Sequence, residues 1–498
     1  MHLALLACLV STMACQSTRQ HAGGGFANKR VTTRPESDVS QTDSRPHGTA
    51  QPVTLVTYQE NDESRQDREA IPPPATSLPL ATDASFELAA TRSSLEANAL
   101  AANPSLRKLQ HEAMAASARV RYAGKLPDPT IGAVVFGDPI ETAAGSQRAN
   151  LTLTQMLPWL ARLDAQTQQA CFEALALRQL YFAERAKVLG QLRVAWFSLY
   201  VLHKQIEVNR ANQQLLRTLT DLANARLRQN IGTAGDVSLG LLEISRVEEQ
   251  HVALIQRVES TRAELNRLAG RAAQAPVAPV ERIDAELPAW SPELLQQLAW
   301  NWQPELTAAR LRTQATRWGV EVAKLKRRPD TSFGASWFFI DDNRPATPVV
   351  TVGEDAWSLG AQVSIPLWRK DYDAMRSEAT WTHFASHASV EDLGQRYDAL
   401  LVDLWEQARA AHETARLFRD TMIPQARQTL AADQQALQDG AVEFDRVIRD
   451  VRNLLELEFG YHRSTGQLAA LVARIQAAVG VDLDTVDLGK VPAAAAGS

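Results

Sequence analysis

The chain is written twice. From Pro104 to Pro129 is 25 residues, and from Pro304 to Pro329 is again 25. From Pro158 to Gly232 is 74 residues, and from Pro366 to Gly440 is also 74. Only the interval between the matched prolines changes, from 29 residues (129 to 158) to 37 (329 to 366). Repeated spacing of this kind marks a duplicated supersecondary unit. Insertions are best tolerated in surface loops, so the variable interval is expected to contain a hairpin loop. The spacing predicts one unit over 86–280 and a second over 281–480.

Each unit contains a helical run too long for an ordinary domain. Between Pro158 and Gly232 there is no proline and one glycine, Gly190. A continuous helix of about 70 residues would be about 105 Å long at ~1.5 Å per residue. Such a helix has to lie in a bundle, coiled coil or tube. Gly232 and Gly440 punctuate the two long runs and suit the turn of a helical hairpin. Shorter partner helices are expected over Asp236–Gly270 and Glu443–Gly480. Pro424 interrupts the second long run, where it should kink the helix or join two stacked ones.

The variable intervals carry a different period. Trp357, Leu359, Ala361, Val363, Ile365 and Leu367 alternate with Ser358, Gly360, Gln362 and Ser364. Phe333, Ala335, Trp337 and Phe339 alternate with Ser332, Gly334 and Ser336, and Leu151 and Leu153 with Asn150, Thr152 and Thr154. Period two with one apolar side reads as strand. Apolar outside and small polar inside is the pattern of a transmembrane barrel strand. On this reading Leu151, Leu153, Trp357, Leu359, Val363 and Ile365 face lipid. Trp337 and Trp357 would mark one membrane interface, and Trp159 and Trp368 the opposite one. Two hairpins supply four strands, whereas closed membrane barrels start at ~8. Open sheet edges cannot face lipid, because their peptide groups would go unpaired. Several chains must therefore share one barrel, and two or three copies both satisfy the count.

The N-terminus reads as an address. Leu3–Val10 is apolar but far shorter than the ~20 residues that span a bilayer, and it fits a secretory signal over 1–15. Cys15 follows Ala14 as in a bacterial lipoprotein signal, which makes Cys15 the expected acylated residue. Residues 16–85 are polar and hold seven of the 23 prolines, the composition of a disordered tether. A flexible tail is expected over 481–498.

In order and spacing these segments resemble the outer-membrane factor family of bacterial efflux and type I secretion, the TolC-like proteins. The resemblance rests on Asn103-Pro104, Pro127-Asp128-Pro129 and Thr154-Gln155-Met156-Leu157-Pro158-Trp159. In the second unit it rests on Val363-Ser364-Ile365-Pro366-Leu367 and Ile423-Pro424-Gln425-Ala426. Past Gly440 it continues in Phe444-Asp445-Arg446-Val447-Ile448 and Leu454-Leu455-Glu456-Leu457-Glu458. It implies a mainly α chain with a barrel portion: a homotrimer of twelve strands continuous with a periplasmic helical tube. It implies an outer-membrane site and function as a passive duct, with a periplasmic adaptor and an inner-membrane pump as partners. The adaptor would dock at the tips near Gly232 and Gly440. It also implies an iris of helices closed by polar links at that end, for which Arg228, Asp236 and Asp445 are the candidates by position.

No motif for nucleotide hydrolysis, acyl transfer or zinc proteolysis occurs, so no enzymatic activity and no cofactor are expected. His383 and His387 could share a helix face, but no third ligand for a metal is evident. Three cysteines exclude a disulfide framework. A formal net charge of -5 gives no reason to expect nucleic acid. The competing reading is a periplasmic adaptor or scaffold of helical hairpins. It would require a single hairpin unit and no lipid-facing strands.

Overall fold

The structure is a computed structural model that describes residues 90–480, apart from 281, 284–285 and 344–351. Cys15, the export signal, the 16–85 tether and the 481–498 tail lie outside the described residues. The first unit runs α1 (Arg92–Ala102), α2 (Pro104–Ala123), β1 (Thr130–Thr142), β2 (Gly145–Leu157), α3 (Leu160–Arg228) and α4 (Ala234–Leu268). The second runs α5 (Pro292–Trp302), α6 (Pro304–Leu325), β3 (Asp330–Ile340), β4 (Ala356–Ser364) and α7 (Arg369–Leu417). It closes with a π turn (Phe418–Met422), α8 (Ile423–Gln438) and α9 (Phe444–Val479). The order of elements is the same in both. The extra length of the second strand pair falls in its connection: two residues, Ala143 and Ala144, join β1 to β2, whereas residues 341–355 join β3 to β4.

The unit boundaries are set by a device used twice. Proline at the first position of a helix loses no hydrogen bond and is preorganised for it, and α2 and α6 both begin so, at Pro104 and Pro304. The preceding carboxamide is buried and reaches the end of the partner helix. Asn103 Nδ2 donates to the Leu268 carbonyl at 2.8 Å, and its Oδ1 accepts from the Ser105 and Leu106 amides. Gln303 Nε2 donates to the Ala478 carbonyl at 2.6 Å. Each unit's last helix is thereby tied to its first pair. Asn103→Ala removes an N-cap and strands a buried carbonyl, at a cost of about 1–3 kcal/mol. The midpoint of helix loss on heating should fall accordingly, and an unchanged midpoint would contradict this role.

α3 is a single helix of 69 residues. The corresponding α7, π turn and α8 are 49, 5 and 16 residues long, one more in total. A π turn takes one residue more per hydrogen-bonded loop than an α turn, so it absorbs that residue. It ends two residues before Pro424, where the sequence predicted a kink or the joining of two stacked helices. The Phe418 ring of the π turn packs on Gly460 of α9, where an added Cβ would sit 2.7 Å from Cζ. Gly190 has a similar reason: a Cβ there would meet the Ala477 side chain at 2.7 Å. It is one point of close approach between α3 and α9, and Gly466 of α9 against Val201 of α3 is another.

Packing is by stripes of Leu, Val, Ile and Ala. One cluster joins α1, α3, the end of α4 and α9 around Leu95, Leu192, Phe197 and Leu265. A second joins α5, α7 and α9 around Leu295, Leu401 and Ile475. A third joins the hairpin ends around Leu216, Val247, Leu437 and Ile448.

Candidate functional site

The strands form one antiparallel sheet in the order β1-β2-β3-β4. Its register sorts residues by face. Ile131, Leu153, Ala335 and Leu359 make one rung, and Ala133, Leu151, Trp337 and Trp357 make the next. Thr331 pairs with Val363 on the same face. The opposite face carries the rungs Thr130, Thr154, Gly334, Gly360 and Gly132, Thr152, Ser336, Ser358, then Met156, Ser332 and Gln362. The apolar side chains are not covered: Leu359 is 75% exposed and Ile131 73%. A large exposed apolar surface of this kind marks an interaction site. Ile365 lies one residue beyond β4 and is also exposed.

Among the described residues β1 and β4 are edges without a further partner strand. β1 carries a register shift between Val135 and Ile140, around Pro139, which a central strand would tolerate poorly. No described helix is long and apolar enough to cross a membrane.

The tryptophans stand at the two ends of the sheet. Trp337 pairs directly with Trp357, and its indole donates to Asp355 at 3.0 Å. At the other end the Trp159 amide donates to Asp330 at 3.2 Å, and Arg162 bridges the same carboxylate at 2.9 Å. Trp368, exposed, begins the matching helix. Seven residues separate Asp330 from Trp337, or about 23 Å at ~3.3 Å per residue. The apolar band of a membrane barrel is ~25 Å tall.

At the far ends of the long helices are two tight turns. Gly440 adopts a left-handed conformation, with φ of 73°. In the first turn that position is taken by Asn230, φ 54°, and Gly232 follows two residues later with an ordinary φ. The matched 74-residue spacing therefore aligns the turns with an offset of two. Asn enters this region more readily than other non-glycine residues because its short side chain bonds locally.

The three candidate charges do different things. Asp236 is in a capping box: its Oδ2 accepts from the Thr233 amide at 3.0 Å and its own amide donates to Thr233 Oγ1 at 3.1 Å. Asp445 pairs with Arg449 along α9 at 2.8 Å. Arg228 ends α3 and is exposed. The structure does not bring them together. The link between the tips comes from Arg226, whose guanidinium donates to the Leu437 carbonyl of α8 and to the Ile231 carbonyl of its own turn.

A second link lies two turns of helix further in. Glu243 of α4 is 3% exposed and accepts from Arg452 of α9, with Nε at 2.7 Å, and from Arg246 at 2.6 Å. Hydrogen bonding from Arg452 holds its carboxyl below the usual value. Sequence reading missed Glu243, although a charged residue on the buried stripe Gly240, Val247, Leu254 was the available signal. Asp433 of α8 accepts from Arg446 of α9 at 2.7 Å. His383 and His387 do not converge: one bonds Thr316 at 3.2 Å and the other faces Glu391 at 3.3 Å.

No protein-family model matches the chain. A segment of 153 residues is 27% identical to the fusaric acid resistance protein FusA of Burkholderia cepacia. That segment is 30% of this chain and spans only 29% of the relative's length. Solved structures agree over far more. The outer membrane protein VceC of Vibrio cholerae superposes with a TM-score of 0.66 at 19% identity, over 78% of this chain and 96% of that one. CusC, a transmembrane channel, gives 0.68 at 15%, over 81% and 96%. The MtrE outer membrane channel of Neisseria gonorrhoeae, solved in its open state, gives 0.62 at 14%, over 78% and 89%.

Proposed function

We propose that this chain, which has the fold of the outer-membrane factor (TolC-like) channels, is a passive outer-membrane efflux duct. The observation that carries this reading is the sheet: one exposed apolar face, one small polar face and two free edges, continuous with a 69-residue helix. Three copies would close the edges into a barrel of twelve strands. Leu151, Leu153, Trp357, Leu359, Val363 and Ile365 then face lipid, and Thr152, Ser336 and Gln362 face water. The helical-scaffold reading gives that sheet no purpose.

The chain carries no energy-coupling motif, so transport is driven by an inner-membrane pump joined through a periplasmic adaptor at the turns near Gly232 and Gly440. Acylation of Cys15 adds an anchor in the same membrane. The partial relative's name favours a small toxic compound as cargo over a polypeptide.

Closure of the periplasmic end rests on Arg226 more than on Arg228, Asp236 or Asp445. The test is single-channel conductance in planar bilayers. Arg226→Ser should raise the conductance several-fold. Arg228→Ser, Asp445→Ala and Asp236→Ala should do less, since exposed pairs contribute about 0–1 kcal/mol and the capping box acts within its own helix. Parental conductance in all four, at low and high salt, would place the closure elsewhere. Absence of any channel activity in the parent would overturn the duct itself.

A further inference from the structure

Two imidazoles lie at one level of α3, His203 on the helix and His462 of α9 packed against it. His203 accepts the Val280 amide at Nδ1, 3.3 Å away. A ring nitrogen accepts only while it carries no proton, and both nitrogens of a charged imidazole are donors. Val280 is 4% exposed and ends a strap that also pairs with the start of the described chain. Ala278 donates to the Ala90 carbonyl at 3.0 Å, and Ala90 to the Pro276 carbonyl at 3.3 Å.

One turn away on α3, Tyr200 packs edge-on against His462 of α9, with ring centroids 6.3 Å apart. Tyr461 stands 5.1 Å from the same ring. His462 Nδ1 is buried with no hydrogen-bond partner among the described residues. A proton there would be a buried donor and a buried charge, each costly without a partner.

The charged neighbours do not offset this. His203 faces Arg262 of α4, itself paired with Glu259. His462 faces Lys204 and Glu207 of α3, paired with each other at 2.7 Å. On its own helix it faces Glu458, which is engaged by Arg427 of α8 at 2.6 Å.

We propose that His203 and His462 form an acid-sensitive clamp on α3, releasing it from the 276–280 strap and from α9 when they take up protons. Burial is the first cause that lowers both rings from their ordinary value of 6.5, with Arg262 and Lys204 adding to it. A lowered imidazole contributes its stability in full above 6.5 and loses it as the pH falls through the packed-state value. The clamp is therefore closed at neutral pH and weakens in acid.

Hydrogen exchange of the assembled full chain in detergent tests this, at about pH 7.5 and about pH 5, corrected for the intrinsic rate. Exchange in 274–280 and 455–466 should rise several-fold in acid, as the neutral rings that the packing favours become charged. His203→Asn keeps an acceptor that does not titrate, and should remove the acid response of 274–280 alone. His462→Phe keeps the ring and should remove that of 455–466. Equal corrected protection of the parent at both pH values would overturn the clamp. So would an acid response that survives in the double variant.

Discussion

If the chain is the proposed outer-membrane duct, arginine in place of Leu359 should prevent it from accumulating in that membrane. Leu359 sits mid-strand in β4, on the rung with Ala335, Leu153 and Ile131, and is 75% exposed in the single chain. An arginine on the lipid face near the bilayer midplane costs about 2–4 kcal/mol, and threefold assembly would incur it three times. Val363→Arg should act in the same direction. Gln362, between them in sequence, lies on the opposite face with Ser332 and Met156. Gln362→Arg should leave assembly intact and alter ion selectivity. The measurement is the folded fraction recovered from membranes, alongside conductance of whatever inserts. Equal losses at all three positions would contradict the assignment of faces.

Replacing Glu243 by Gln should give the largest loss of stability among the tip substitutions. Its carboxylate is nearly buried and receives two arginines, one of them from the other repeat. Removing one partner of a fully buried pair costs about 3–5 kcal/mol. Arg452 keeps 41% of its side chain in solvent, so water compensates part of that and about 1–3 kcal/mol remains. The carboxyl is held below its ordinary value of 4.5. A lowered acid contributes stability above 4.5 and loses it as the pH falls through the folded value. Parent and variant should therefore differ at neutral pH and converge as the pH falls below 4.5 and through the folded value. A gap that persists in acid would mean that the cost is steric, not electrostatic.

The features written in local sequence were the readable ones. Strand alternation over 356–364 sorts residues by face because the side-chain period is two, and the register places those residues as that period requires. The absence of proline after Pro158 left one long helix, and α3 is that helix. Pro424 located a break, but the π turn arises from one surplus residue ahead of the proline, visible only when both long runs are laid side by side. The tips were harder. Glycine was the natural choice for a left-handed turn, yet Asn230 takes that position in the first unit. The Glu243–Arg452 and Arg226–Leu437 links join residues more than 200 positions apart. No spacing rule reaches across that distance, and only the pairing of the hairpins brings them into contact.

In the proposed duct, four strands with two free edges are one third of a closed barrel. A chain count in mild detergent tests it most directly, by native mass measurement on protein whose strand content is verified in the same sample. Three chains per particle are expected, with the β1 and β4 edges closed between copies. A single chain that remains folded and rich in strand would contradict it.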